Sequence, residues 1–193
     1  MKKVGVTGGM GCGKSTVLEG FRQLGIPCFI SDMVAARYYH DDDFLEELRH
    51  LLGDEVFLPD GSADKRAVAA RVFADCKLLE GLNALVHPRV LEDFDFFCQC
   101  HDDAPYVIFE SAILYDYGLE RYMDAVICVY LDLPERLARL RVREGVAEES
   151  LMARISNQMP AEEMMRRADY VILNYEGNPR QRQIAYIDKQ LRR

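Results

Sequence analysis

Close to the start of the chain an apolar run gives way to backbone that is almost bare, for residues 4–16 read VGVTGGMGCGKST. Gly8 to Ser15 satisfies the spacing G-x-x-x-x-G-K-[ST]. No other feature restricts the fold so much. Glycine takes positive φ without a Cβ clash, so successive N–H groups can turn to one side and leave a concave nest for an anion. Such a nest needs a strand to carry it and a helix to close it. MKKVGVT supplies the strand, with β-branched Val4 and Val6. Val17, Leu18, Phe21 and Leu24 recur at helical spacing, and Gly25 with Pro27 stops the helix. A glycine-rich turn can also be only a tight connection, but here strand and helix flank it in the order a phosphate site requires.

In that reading Gly11, Cys12, Gly13, Lys14, Ser15 and Thr16 face the phosphates of a nucleotide. The unpaired N–H groups and dipole of the helix start add positive potential at the same point. Lys14 reaches the outer phosphates, and the Ser15 hydroxyl is placed to join the oxygen shell of Mg2+. Cys12 stands beside a helix N-terminus and a lysine, where a thiolate is favoured and a nucleotide would cover it. The alternative for Cys12 is a small residue chosen for fit.

A length of 193 residues allows one domain, or one domain with an insertion, around a sizeable core. The first strand starts without a basic leader and no apolar run reaches membrane-spanning length, so the expectation is a cytoplasmic protein that does not enter a membrane. Six cysteines lie scattered without a C-x-x-C pair, which points to reduced, mostly buried thiols rather than zinc or a disulfide framework. A net charge of −8 argues against nucleic acid as a partner, so anionic ligands must be caught by local positive features. The sequence does not state an oligomeric state.

After the first helix, Pro27 to Ile30 reads as a short strand, and Ser31-Asp32 precedes a helical stretch from Met33 to Tyr39. The pattern then stays helical, with segments near 43–52, 64–74, 77–86 and 88–100 divided by Gly53, a Pro59-Asp60-Gly61 turn and His87-Pro88. Asp41 to Asp43 is a helix entry or solvated turn rather than a metal site. Strands return at 106–110, 125–131 and 170–173, the first two as continuous apolar runs suited to a sheet buried on both faces. A helix from Pro134 places Arg136, Arg139 and Arg143 beside a stripe of Leu133, Leu137 and Leu140. Helices follow at 151–159, after Pro160 and at 178–191. Strands alternating with helices predict an α/β fold, a five-stranded parallel sheet covered on both sides as a three-layer sandwich. Ligands of such a sheet collect at the carboxyl ends of the strands, where Gly8 to Ser15, Asp32, Glu110 and Asn174 all fall.

These residues together resemble the dephospho-CoA kinase family of P-loop kinases over almost the whole chain. The resemblance rests on TGGMGCGKST (7–16), Asp32-x-x-Ala35-x-Arg37, LNALVHPRV (82–90), RLARLRVREG (136–145), ISNQMP (155–160) and ADYVILN (168–174). Two departures stand out. Family members usually carry Asp-x-Asp after strand two, where this chain has Ile30 before Asp32, and the proline common after strand three is missing from Glu110-Ser-Ala-Ile-Leu-Tyr-Asp116.

The resemblance implies a P-loop fold and ATP-dependent phosphorylation of the ribose 3′-hydroxyl of dephospho-CoA, with Mg2+. It implies a single domain over 1–193, with a core of about 1–31, 104–132 and 168–193, an inserted helical CoA-binding lobe of about 32–103, and a helical lid of about 133–167. Asp32 is the candidate that orients the hydroxyl and takes its proton, or else an N-cap of the next helix. Arg37 contacts the acceptor's phosphates or is a solvated arginine. Arg139 and Arg143 close over ATP with the lid or form a solvated face, and Lys14 with them neutralises the transferring phosphoryl. His87, read at a helix boundary set by Pro88, takes a structural or CoA-contacting role. Glu110 is a second candidate Mg2+ ligand, and Asn174 lines an adenine pocket or caps a loop. The apolar helices 64–100 would hold the pantetheine arm, or are simply core. Two rivals share these features, another small P-loop kinase acting on a nucleoside or nucleotide, and a non-catalytic nucleotide switch.

Overall fold

A computed structural model describes residues 1–145 and 147–193, Glu144 without its side chain. The chain runs β1 (Lys2–Thr7), α1 (Lys14–Arg22), β2 (Cys28–Ile30), α2 (Ser31–Tyr38), α3 (Asp42–Leu52), α4 (Lys65–Ala74) and α5 (Cys76–Gln99). It continues with β3 (Tyr106–Glu110), β4 (Ala125–Tyr130), α6 (Leu133–Glu144), α7 (Glu148–Ile155), α8 (Ala161–Arg167), β5 (Tyr170–Leu173) and α9 (Arg180–Leu191). The residues form two compact units, one of Met1–Ile30 with His101–Arg193 and the other of Ser31–Cys100.

The first unit holds a five-stranded sheet in the order β2-β3-β1-β4-β5. All its pairings are parallel, with Val6 opposite Glu110 on one side and opposite Ile127 on the other. Strand order reverses at β1, which makes the carboxyl end of β1 the natural crevice of the sheet. The period-2 alternation of the strand sends Val4 and Val6 to one face, where they meet Val17, Leu18 and Phe21 of α1 and Ile184, Ile187 and Leu191 of α9. Gly5 points to the other face, where a Cβ would run into Leu114 at 2.8 Å. Val4, Val6, Phe21, Ile108 and Ile127 are fully buried, and each such side chain contributes about 1.5–3 kcal/mol by leaving water. The segment expected as a helix over 151–159 instead forms α7 from Glu148 and ends at Ile155, leaving 156–160 as the turn that carries Gln158.

The second unit is helical. Asp41 caps α3 by accepting from the Phe44 N–H at 2.9 Å, and Asp64 and Asp75 cap α4 and α5 in the same way. Phe44, Leu48, Leu52, Val56, Val68 and Val72 form its core. The expected break at His87-Pro88 does not occur, because α5 runs unbroken from Cys76 to Gln99 with Pro88 inside it. A proline removes one helical donor and crowds the preceding turn. The carbonyl that forgoes its helical donor is that of Ala84, and beside it the Arg89 guanidinium bonds the Leu85 carbonyl at 2.9 Å while it pairs with Glu47 at 2.8 Å. Leu78, Leu82 and Leu85 before the proline pack on the α3–α4 core, and Val90 and Phe94 beyond it are buried as well. Tertiary burial on both sides of Pro88 thus outweighs the local break. No helix among the described residues is long and apolar enough to cross a membrane.

Candidate active site

The loop Gly8–Gly13 leaves the carboxyl end of β1 and enters α1. Gly8, Gly11 and Gly13 have φ of 151°, 85° and 89°. At Gly11 and Gly13 a side chain would also meet its neighbours, Leu140 at 2.8 Å and the Asn174 amide nitrogen at 2.3 Å. Glycine is therefore required twice over, by conformation and by space. Gly13 caps α1, its carbonyl accepting from the Thr16 and Val17 N–H groups at 3.2 and 3.3 Å. Lys14 folds back over the loop with Nζ 3.0 Å from the Gly8 carbonyl and 3.7 Å from a Glu110 carboxylate oxygen. Glu110, the last residue of β3, is 6% exposed. Ser15 and Thr16, in the first turn of α1, are exposed. The structure thus brings Lys14 and Glu110 together at the loop.

Three further elements reach the loop. Arg136 of α6 donates from Nε to the Met10 carbonyl at 2.8 Å and is 4% exposed. Gln158 accepts from the Met10 N–H at 3.0 Å, and its amide nitrogen lies 3.5 Å from the Ala112 carbonyl. Asn174, just beyond β5 and 2% exposed, donates to the Cys12 carbonyl at 2.7 Å and accepts from Arg180 at 2.8 Å. Arg139 donates to the Asn174 carbonyl at 2.9 Å. The three arginines of the expected stripe therefore have three different depths, with Arg136 buried, Arg139 half-buried and Arg143 exposed.

Cys12 departs from the expectation of a favoured thiolate. It is 1% exposed, and burial pushes the thiol up against the opposing pull of the Lys14 charge and N–H. Cys128 is likewise pushed up to about 12 by burial. All six cysteines are free, but Cys76 and Cys100 are exposed and Cys28 half-buried, so burial is less general than expected.

In the helical unit Asp32 and Arg37 lie in the first and last turns of α2, both exposed. His87 is half-buried inside α5 rather than at a helix end, and burial lowers its pKa. Asp132 accepts from the Glu135 N–H at 3.2 Å and so caps α6.

Arg136 and Gln158 were missing from the candidates. Arg136 and Leu140 stand four residues apart and share a helix face, and Leu140 is 1% exposed. That spacing was the available signal. Gln158 stood inside a recognised motif with no role attached.

A glycine nest with its lysine, at the carboxyl end of the strand where a parallel sheet reverses its order, defines a P-loop nucleotide-binding protein. Comparison with known proteins is consistent and narrower. Residues 2–179 match the family described as dephospho-CoA kinase. The dephospho-CoA kinase of Bacteroides fragilis is 36% identical over 178 residues, 92% of this chain and 86% of that one. That of Leptospira interrogans is 35% identical over 176 residues, 91% and 84% of the two chains. A solved structure from Thermus thermophilus is 33% identical with a TM-score of 0.89, covering 98% of this chain and 96% of its own. At 21% identity and a TM-score of 0.61, the dephospho-CoA kinase from Campylobacter jejuni shares the fold, over 98% of this chain and 97% of that one. The chain belongs to the dephospho-CoA kinase family.

Proposed function

We propose that this kinase transfers the terminal phosphoryl group of ATP to the ribose 3′-hydroxyl of dephospho-CoA, giving coenzyme A and ADP as the closing step of coenzyme A synthesis, with the loop Gly8–Thr16 as the phosphate grip. The observation that carries the reading is the ammonium of Lys14, fixed between the Gly8 carbonyl and Glu110 above a nest lined by glycine. Phosphoryl transfer asks for alignment and charge neutralisation more than covalent chemistry. Lys14 meets the outer phosphates, and Arg139 and Arg143 belong to a lid of about 133–167 that supplies guanidinium groups to the transferring phosphoryl. Asp32 orients the hydroxyl and receives its proton. Arg37 and His87 contact the acceptor, whose pantetheine arm lies along the apolar helices of the 32–103 lobe.

Ser15 and Glu110 would hold Mg2+. A hydroxyl and a carboxylate are hard oxygen donors, which suits the ion. Among the described residues no three His, Cys, Asp or Glu side chains gather as a metal cage. Mg2+ at a nucleotide draws much of its shell from phosphate oxygens and water. When bound, Mg2+ neutralises charge on the phosphates. Six free cysteines suit a reducing compartment, so the proposed location is the cytoplasm.

The test incubates the protein with Mg-ATP and either dephospho-CoA, a nucleoside monophosphate or no acceptor, and follows ADP and phosphorylated acceptor. ADP formation dependent on dephospho-CoA alone is expected. Equal turnover with nucleoside monophosphates would indicate the other small kinase, and acceptor-independent turnover a nucleotide switch.

A further inference from the structure

Two buried side chains outside the reacting set decide which way the peptides of the nest face. All peptide bonds in the described chain are trans. A trans peptide points its C=O and N–H in opposite directions. Arg136 holds the Met10 carbonyl, so the N–H of the same peptide, that of Gly11, is turned away from α6. Asn174 holds the Cys12 carbonyl, so the N–H of Gly13 is likewise turned away from β5. Arg180 donates to the Asn174 side-chain oxygen, which leaves its amide nitrogen as the group facing Cys12. Among the described residues neither the Gly11 nor the Gly13 N–H donates to a protein acceptor, so both remain available to a ligand.

Converging N–H dipoles repel one another when nothing negative sits between them. Glycine removes the steric barrier that would stop a peptide from flipping. An unbraced nest would therefore relax by turning a carbonyl inward, where it would repel phosphate. Arg136 and Asn174 oppose that relaxation. Arg136 does so at the electrostatic cost of burying a cation that pairs with no carboxylate among the described residues, and burial lowers its pKa.

We propose that Arg136 and Asn174 are positioning residues that draw out the Met10 and Cys12 carbonyls and so aim the Gly11 and Gly13 N–H groups at phosphate before nucleotide arrives. The inference rests on the reading of the loop as a phosphate site, and it replaces an adenine contact at Asn174 with a brace. The probes are inorganic tripolyphosphate and adenosine, titrated separately against the whole protein and followed by amide NMR. Asn174→Asp puts a carboxylate against the Cys12 carbonyl. It is expected to weaken tripolyphosphate at least tenfold, leave adenosine within twofold and shift the Gly11 and Gly13 amide signals. A tripolyphosphate loss below threefold, or a parallel loss for adenosine, overturns the assignment of Asn174.

A second pair of variants guards against a misfolded first one. Arg136→Gln keeps a donor for the Met10 carbonyl and Arg136→Met does not. The glutamine variant is expected within threefold of the parent and the methionine variant at least tenfold weaker. Equal losses would mean that charge, not the direction of the peptide, was at work, and would overturn the proposal for Arg136. Failure of the unaltered protein to bind tripolyphosphate would instead strike the phosphate-site reading itself.

Discussion

Beside the phosphate nest Arg136 and Asn174 are buried and bonded, whereas Asp32 and Arg37, two acceptor-side candidates of the helical unit, stand in solvent. Arg136 and Asn174 are 4% and 2% exposed, and each holds a loop carbonyl. Asp32 and Arg37 are exposed on α2. In the proposed reading a triphosphate meets a prepared surface, and preorganised dipoles need no reorganisation when charge arrives. An exposed side chain, by contrast, keeps its water until a ligand displaces it. Under the proposed assignments, the grip on the donor is built by folding, while the grip on the acceptor forms at binding.

The sharpest way to break that contrast is Asp32→Asn. If an exposed residue of the helical unit carries the proton, kcat should fall about 10^2- to 10^4-fold, the usual scale for a lost general base. ATP affinity, set by the nest, should stay within about twofold. Rapid-quench turnover beside calorimetric ATP titration measures both, and unchanged turnover would remove Asp32 from the mechanism.

Next in size is a contrast within the helical unit itself. Phe44 is fully buried in its core, and Phe96 is 67% exposed. Phe44→Ala should cost about 3–5 kcal/mol in urea unfolding, and Phe96→Ala no more than about 0.5 kcal/mol. A raised KM for dephospho-CoA in Phe96→Ala, with stability intact, would place the pantetheine arm on this surface. An unchanged KM would take Phe96 out of the arm's path.

Gly13→Ala tests the prepared side. The residue has φ +89°, and a Cβ would sit 2.3 Å from the Asn174 amide. A left-handed alanine alone costs about 1–2 kcal/mol. The expected outcome is an ATP affinity at least about tenfold weaker, a 1.4 kcal/mol step, with dephospho-CoA affinity unchanged. Full ATP affinity in this variant would show that the nest tolerates relaxation.

What could be seen in the sequence follows the range of the force involved. The strand, nest and helix of residues 2–22 are local, and spacing alone showed them. Parallel strands at 106–110 and 170–173 could be drawn from apolar runs. The order β2-β3-β1-β4-β5 could not, since pairing partners are chosen across the chain. Continuity of α5 through Pro88 rests on burial of Leu82 and Leu85 before it and Val90 and Phe94 after it, a tertiary fact. For the site, Lys14 and Glu110 were legible because strand ends in a parallel sheet gather at one edge. Arg136 was not, because charge type says nothing about depth, and the Met10 carbonyl that accepts from it lies far away in sequence. At Cys12 burial goes with the small residue chosen for fit rather than the thiolate, since proximity to Lys14 was visible in the sequence but the burial that outweighs it was not.

The smallest expected effect separates the two regions by pH. His87 is half-buried in α5, and burial lowers its pKa from 6.5. The unfolded chain therefore binds a proton that the folded protein resists. Stability from this group is complete above about pH 6.5 and declines as pH falls from there through the folded value, by at most about 1.4 kcal/mol per pH unit. Urea unfolding at pH 7.5 and 5.5 should show a loss in the parent that shrinks in His87→Gln. Equal losses in the two proteins would mean that His87 is protonated as readily folded as unfolded. A buried neutral imidazole can donate one hydrogen bond and accept another but cannot offer a cation to a phosphate. The same pH series, read as KM for dephospho-CoA, therefore decides what His87 gives the acceptor. A KM that is flat from pH 7.5 down to 6.5 and changes by less than twofold in His87→Gln fits a neutral contact, and a KM that falls steeply on acidification in the parent alone requires the imidazolium.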